Sequence, residues 1–513
     1  MISARYHLEP IAEAVDAAIA DLLARDAVSR VFELDHTLFQ DDPAECANRL
    51  GWLHVAEELS EAWPELEAFA AEIAAEADHV VLMGMGGSSL FPEVLTQTFG
   101  SAAGRPRLHV LDTTDPAAIR RVLDACPADR TFHLASSKSG STLETRSHLA
   151  YFLDRSGDPS RFAVVTDPGS ALGEAARSQG FRKVFENNPD IGGRYSALSH
   201  FGMVPAALIG ADGRAMLDAA NDMVDALAPV DGDDEHNLGL QLAAVIGAAA
   251  LGGRDKLTIL IDERVATFGL WLEQLIAEST GKLGRGIVPI VGESVDSIVA
   301  VPADRVVVTI GDVDGLDRVL AAGVPLVELS LEESTDIGAH VVLWEFAIAL
   351  AGRVLGINPF DQPDVEAAKI AARRLLDSPA PAEPTVTPVA DALGQLGSGD
   401  YLAICAFIDP GSADAAALES VRPELGRRHG VVTTLGFGPR FLHSTGQLHK
   451  GGANNIVAVQ VVSDDPDDLA IPDQSFTFGR FKHAQATGDL EALHSKGHRA
   501  LRVSLAELLA AGS

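Results

Sequence analysis

Several short segments of this chain gather residue types that do chemistry. Ser136-Ser137-Lys138-Ser139-Gly140-Ser141-Thr142 lies after a predicted strand and before a predicted helix. Its hydroxyls, its one cation and the free amides of a helix start suit a phosphate monoester, because short neutral donors and a point charge can converge on the oxygens. Ser141 and Glu144 also fit a helix-capping box, although capping needs only one of these hydroxyls. Upstream, Gly84-Met85-Gly86-Gly87-Ser88-Ser89 makes the same strand-to-helix passage, and its glycines let the backbone turn tightly towards an anion. The rival reading is a dinucleotide fingerprint with Asp112 as the ribose-binding acid. Against it, Ser89 stands where the third glycine belongs, and no Gly-Lys-Ser/Thr follows to make a P-loop. Two anion-binding turns at one edge of one sheet are more specific than either alone.

Three further segments carry acid–base groups. Gln274 and Glu278 stand four apart on a predicted helix and share a face, and Gly281 ends that helix where a loop can meet a substrate. The bland alternative is a Glu278–Lys282 surface ion pair, worth only tenths of a kcal/mol. Gly192-Gly193-Arg194-Tyr195-Ser196 can bring a guanidinium over open backbone to a ligand, or Arg194 can pair with one of many carboxylates. His443-Ser444-Thr445-Gly446-Gln447-Leu448-His449-Lys450-Gly451-Gly452 holds two histidines, one lysine and three glycines in ten residues. The interval between His443 and His449 suits neither helical facing nor a zinc-finger spacing, so no metal is expected there. Lys450 facing a phosphate-bearing substrate fits better.

The elements that must position these groups follow from hydropathy patterning. Residues 1–75 are dense in Ala, Leu and Glu at helical spacing and read as an N-terminal helical segment. From Asp78, short apolar runs (79–84, 107–112, 130–136, 161–167, 183–187) alternate with amphipathic stretches, the signature of βαβ units on a parallel sheet. The alternation resumes after a helical stretch, with strands at 257–262, 305–311 and 325–331 and a long helix near 338–356. The expected organisation is a phosphate-binding α/β unit at 76–230 and a second α/β unit carrying Glu278 at 231–377. A proline-rich linker at 378–388 and a smaller C-terminal α/β unit at 389–513 complete it.

Composition limits the functions. The chain of 513 residues has room for roughly three to four units of ~150 residues, and 47% hydrophobic with 22% charged residues excludes a disordered or fibrous chain. Lys plus Arg number 39 and Asp plus Glu 73, a net charge of −34 that repels nucleic acid and anionic membranes. An anionic substrate therefore needs a locally positive site. Cys46, Cys126 and Cys405 form no CxxC spacing and no disulfide framework, which points to a reducing compartment. MISARYHLEP lacks the features of a signal peptide, and the longest uncharged apolar stretch, Leu242 to Gly253, is too short to span a bilayer. A cytoplasmic protein without nucleic-acid or membrane partners is expected.

Taken together, GMGGSS, SSKSGST, NPDIGGRYSALS, WLEQLIAESTGK and INPFDQPDVEAAK, in that order over about 79–375, resemble the glucose-6-phosphate isomerases of the sugar-isomerase (SIS) fold. LGFGPRFLHSTGQLHKGGANN is unlike the animal enzymes and similar to the isomerase half of bacterial transaldolase–isomerase fusions, and DDPAECANRLGWL (41–53) resembles the junction in those fusions. The resemblance implies two SIS three-layer α/β/α sandwiches with parallel sheets, the N-terminal helical segment and the C-terminal α/β unit. It implies an aldose–ketose isomerase acting on glucose 6-phosphate and fructose 6-phosphate, a homodimer, and a functional partnership with a transaldolase. Ser137, Ser139 and Thr142 would hold the substrate phosphate, with Lys138 and the Gly87–Ser88 turn beside it. Glu278 would move a proton between C1 and C2, Arg194 would stabilise the enediolate, Gln274 would position hydroxyls, and Lys450 matches the family's active-site lysine. Neither metal nor redox cofactor is needed for that chemistry.

The chain departs from the family at one place. The histidine that helps open the sugar ring lies, in the family, between the Glu motif and the NPFDQP motif; here its position falls near Val319. The only histidine in that interval, His340, sits on the predicted long helix and reads as structural. His449, His443 or Lys450 alone is expected to take over, with His449 placed among the catalytic residues. The rivals are an isomerase that also accepts mannose 6-phosphate, a non-catalytic sugar-phosphate-binding SIS module, and, more remotely, an NAD-dependent dehydrogenase.

Overall fold

The computed structural model describes residues 2–230, 232–378 and 384–513. Among them, fifteen strands form three five-stranded sheets. β1 (Ala4–His7) pairs antiparallel with a strand of the second sheet, Ala4 opposite Leu329. The N-terminal region is therefore helical only in part. The four residues ARYH are too short to show an alternation, and the sheet edge that receives them lies more than three hundred residues away. The helices Ala12–Leu23, Ala27–Phe32 and Val55–Glu76 make up most of the rest.

The first sheet contains β2 (His79–Met83), β3 (Arg107–Leu111), β4 (Thr131–Ser136), β5 (Phe162–Thr166) and β6 (Lys183–Glu186), all parallel, in the order β3-β2-β4-β5-β6. The chain leaves β2 to one side and continues from β4 to the other. A crevice thus opens between the carboxyl ends of β2 and β4, the place where open α/β sheets bind ligands. Gly84–Ser89 and Ser136–Thr142 both leave their strands at this crevice. In the second sheet β7 (Lys256–Ile261), β8 (Val288–Val291), β9 (Arg305–Ile310) and β10 (Leu326–Leu329) are parallel, and the order is β1-β10-β9-β7-β8. β8 is a strand the hydropathy pattern does not announce, since VPIV is short and contains Pro289. It lies at the sheet edge, where a missing amide is tolerated.

The third sheet holds β11 (Val386–Thr387), β12 (Tyr401–Phe407), β13 (Val432–Phe437), β14 (Ile456–Val462) and β15 (Arg499–Val503) in the parallel order β11-β15-β14-β12-β13. Part of the expected linker, 379–383, lies outside the described residues. Its end is not a linker, because β11 pairs with β15.

The core explains the hydropathy of the chain. Strands buried on both faces, such as β4 and β12, read as unbroken apolar runs. The helix Ile337–Leu355 packs on Gly213–Leu227 and Leu238–Leu251. The stretch Ser334–Leu355 is long and apolar enough to cross a membrane, with a mean hydropathy of 1.5, yet 89% of its most apolar window is buried inside the fold. His340 on this helix is buried, with Nε2 3.1 Å from the Ser330 carbonyl, a structural role as expected.

Candidate active site

Glycine brings the separate motifs within reach of one another. A side chain at Gly87 would put its Cβ 1.8 Å from the Gly193 carbonyl oxygen, so the GMGGSS and GGRYS turns touch only because no side chain intervenes. Gly86 has φ +56°, and a Cβ there would meet the His443 carbonyl at 2.7 Å and the Gln274 amide at 2.9 Å. Four of the sequence motifs therefore converge at one turn.

The helix Gly269–Thr280 presents Gln274 and Glu278 on one face, and Gln274 Nε2 donates to Glu278 Oε2 at 3.0 Å. The same amide donates to the His443 carbonyl at 2.9 Å, which ties this helix to the third unit. Glu278 is only 6% exposed. Arg194 Nη1 lies 3.6 Å from Glu278 Oε2. The rest of the guanidinium is fixed: Nε donates to Ser279 Oγ at 2.9 Å, and Nη2 to the carbonyls of Pro359 and Asp361 at 2.7 and 2.9 Å. Of its nitrogens, Nη1 is the one turned to the carboxylate. The surface-pair reading of Glu278 is thus incorrect, because Lys282 is buried and turns away, pairing with Asp361 at 2.7 Å and donating to the Asn358 carbonyl at 2.6 Å. Burial, and then the charge of Arg194, bring the Lys282 amine down to about 7 against the opposing pull of Asp361.

These groups line a cavity of about 770 Å³ together with Gly87, Ser88, Lys138, Ser139, Ser141, Thr142, His443, Lys450 and Gln485. In the loop after β4, Ser139 and Ser141 hydroxyls lie 2.8 Å apart, and Ser137 Oγ donates to Thr142 Oγ1 at 3.2 Å. Ser137 is buried beneath the loop and supports Thr142 without lining the cavity itself. Lys138 reaches the cavity wall, but its ammonium pairs with Asp167 and donates to the Pro189 carbonyl at 2.9 Å, so its charge is partly neutralised. The helix Leu143–Ser156 has Thr142 at its N-cap with no side-chain cap bond, and the Ser141–Glu144 capping box does not form.

Glu144 has another task. Its carboxylate accepts from Gln485 Nε2 at 2.6 Å and stands 3.0 Å from His443 Nε2. Burial would raise this carboxyl, but the charge and hydrogen bond of His443 outweigh it and hold it below the ordinary value. His443 lines the cavity, whereas His449 does not. His449 packs near the Phe441 and Tyr401 rings, lines a separate cavity of about 470 Å³, and is pushed down to about 3 by burial, then by the charges of Lys450 and His498. The expectation for His449 is corrected on this ground. Neighbouring positions on the short helix Gly446–Gly451 point in different directions, so Lys450 enters the wall of the 770 Å³ cavity as His449 turns away. The Lys450 ammonium lies 2.5 Å from Asp489.

Gln485 and Asp489 carry no motif and are supplied by the helix Phe478–Ser495. Glu144 was visible in sequence only as a cap partner. Asp112, the acid a dinucleotide would need, already accepts from Ser89 Oγ at 3.1 Å and pairs with Arg440 at 2.7 Å. The Val319 position, where the family histidine would fall, lies in an apolar cluster with Leu260, Ile298 and Val307.

A parallel sheet offering a hydroxyl-rich turn and a second sheet, parallel but for β1, offering a buried carboxylate braced by a guanidinium define a double sugar-isomerase fold. A family model described as phosphoglucose isomerase matches residues 59–296. A probable glucose-6-phosphate isomerase of Haloarcula marismortui is 30% identical over 361 residues, which is 61% of this chain and 81% of that protein. Glucose-6-phosphate isomerase of Nostoc sp. PCC 7120 is 28% identical over 385 residues, 63% of this chain and 72% of that protein. Among solved structures, a hypothetical protein from Thermus thermophilus aligns over 73% of this chain and 100% of its own, with TM-score 0.63 and 27% identity. A glucose-6-phosphate isomerase from Chlamydia trachomatis shares the fold over 74% of this chain and 89% of its own, with TM-score 0.63 and 20% identity. The chain belongs to the phosphoglucose isomerase family.

Proposed function

We infer that this protein is an aldose–ketose isomerase interconverting glucose 6-phosphate and fructose 6-phosphate, with Glu278 as the base. One observation carries the reading: a buried carboxylate, within hydrogen-bond distance of Gln274 and 3.6 Å from Arg194, faces the same cavity as the Ser139–Thr142 turn. The turn takes the phosphate, away from the reacting carbons, and so orients the open chain. Glu278 removes the proton on C2 of the aldose. The C–H pair becomes the C1=C2 bond, and the carbonyl pair moves on to O1, whose charge Arg194 stabilises. The proton on O2 passes to O1; the O2 pair then forms the C2=O bond while the C1=C2 pair takes the proton back from the protonated carboxyl at C1, giving the ketose. A proton leaves and comes back with no change of oxidation state overall, so the chemistry calls for no redox cofactor.

His443 is assigned to ring opening, with Glu144 beside its Nε2. Lys450, held by Asp489, places an ammonium donor at the cavity wall, its charge balanced by that carboxylate. The third unit brings both residues to the cavity from the same chain. A homodimer, a transaldolase partner and a cytoplasmic location are proposed from the sequence resemblance. The three buried free cysteines suit a reducing compartment.

A coupled assay converting fructose 6-phosphate to glucose 6-phosphate tests the reading, with mannose 6-phosphate as a parallel substrate. Glucose 6-phosphate formation supports it. Sugar-phosphate binding without turnover would favour the non-catalytic module. Since glucose and mannose 6-phosphates share one enediol, conversion of both would widen the substrate assignment.

A further inference from the structure

The catalytic cavity uses the carboxyl ends of the first sheet. At the opposite ends of β2 and β3 a second cluster stands apart from it. His79 opens β2, and His109 lies on β3 opposite Val81, so the two rings are diagonal neighbours on one face. His79 Nδ1 and His109 Nε2 are 3.1 Å apart. The helix Pro116–Ala125 runs back across this face and delivers Cys126, its C-cap, to the same place. The two ring nitrogens and the Cys126 sulfur all lie within 4.8 Å of one another. The chain is fastened around them: Arg130 grips Asp78 with two bonds of 2.7 and 2.9 Å, the Asp78 amide donates to the Arg130 carbonyl at 2.9 Å, and the Arg107 amide donates to the Asp78 carbonyl at 2.8 Å.

We propose that His79, His109 and Cys126 form a binding site for one borderline-soft divalent cation of the zinc class, with a fourth position open to water. Bond lengths of about 2.0–2.1 Å to nitrogen and about 2.3 Å to sulfur place two nitrogens of a tetrahedral site ~3.3 Å apart and nitrogen and sulfur ~3.6 Å apart. The ring nitrogens already stand at the first spacing to within a few tenths of an ångström, and the thiol, within 4.8 Å of them, closes on the metal to reach the second. Two imidazoles and a thiol select zinc, cobalt or copper over magnesium or calcium. Binding releases the Cys126 thiol proton to solvent and leaves the thiolate on the metal. Such a site joins two strands to the turn after the helix, so it stabilises the first unit without touching the cavity.

The test uses full-length, tag-free protein stripped with a chelator and titrated with Zn²⁺ against a chromophoric indicator, and with Co²⁺ for spectroscopy. One equivalent per chain is expected, together with a thiolate-to-cobalt charge-transfer band that Cys126→Ser abolishes. Affinity should fall at least about tenfold in His109→Ala, with thermal stability of the wild type raised by Zn²⁺ and turnover unchanged. The wild-type cobalt spectrum reads thiolate ligation even if a variant folds poorly. No saturable binding, or a cobalt spectrum without the thiolate band, would overturn the site and leave an ordinary hydrogen-bonded histidine pair.

Discussion

Two cavities lie on either side of the segment 440–450, and both have charged walls. In the smaller, about 470 Å³, the arginines close on carboxylates or on backbone: Arg440 pairs with Asp112 at 2.7 Å, Arg121 pairs with Asp409, and Arg422 donates to the carbonyls of Gly292 and Thr433 at 2.9 and 3.1 Å. In the larger, about 770 Å³, Glu278, Arg194, the Ser139–Ser141 hydroxyls and His443 come from three different sheet units and converge on one space. Charge alone therefore does not mark a site. Convergence of an acid, a base and an anion turn from separate elements does.

The largest expected effect outside the base is at Arg194. Arg194→Ala should lower kcat by about 10²–10³-fold with a smaller change in KM, since in the proposed reaction it removes the group that stabilises the developing oxyanion. Steady-state kinetics check this, and a variant that changes only KM would place Arg194 in ground-state binding. His443→Ala should slow turnover of cyclic glucose 6-phosphate by roughly 10²-fold. Its affinity for an open-chain sugar-acid phosphate, measured by calorimetry, should stay close to that of the wild type.

Across the segment the readout changes from rate to stability. Arg440→Ala leaves Asp112 buried without its ion pair and should cost about 3 kcal/mol in denaturant unfolding, with turnover kept within a few-fold. Loss of rate as large as in Arg194→Ala would break the distinction between the cavities. His449→Gln should leave turnover within about twofold. Its signature is a pH dependence: the ring is held near 3 when folded, below its ordinary value, so the unfolded chain takes up a proton first. The stability His449 contributes is full above about pH 6.5 and is lost as the pH falls towards 3, by up to about 1.4 kcal/mol per pH unit. Denaturant melts of wild type and His449→Gln between pH 7.5 and 4.5 should show the wild type losing more.

Most of the scaffold is legible in the sequence, because doubly buried strands and amphipathic helices leave strong periodicities. Of the strands that escape notice, β1, β8, β11 and β15, the first and third are too short to display a period and Pro289 disguises the second, an edge strand. The residues that face the cavity in named motifs, Glu278, Gln274, Arg194 and Thr142, are legible because turn chemistry and reaction chemistry require the same glycines and hydroxyls. His443 and His449 are not separable from sequence, since six residues through a turn and a short helix set no common direction. Gln485 and Asp489 are invisible for a different reason: they sit on an ordinary helix, and only the docking of the third unit gives them a role.

The most direct measurement of the central claim compares wild type with Glu278→Gln in the coupled assay at saturating fructose 6-phosphate, with substrate binding followed by calorimetry on both. Turnover in the variant should fall by about 10⁴-fold while sugar-phosphate binding persists, as expected for loss of a general base. A variant that still turns over within tenfold of the wild type would contradict Glu278 as the base and move the chemistry to another group in the cavity.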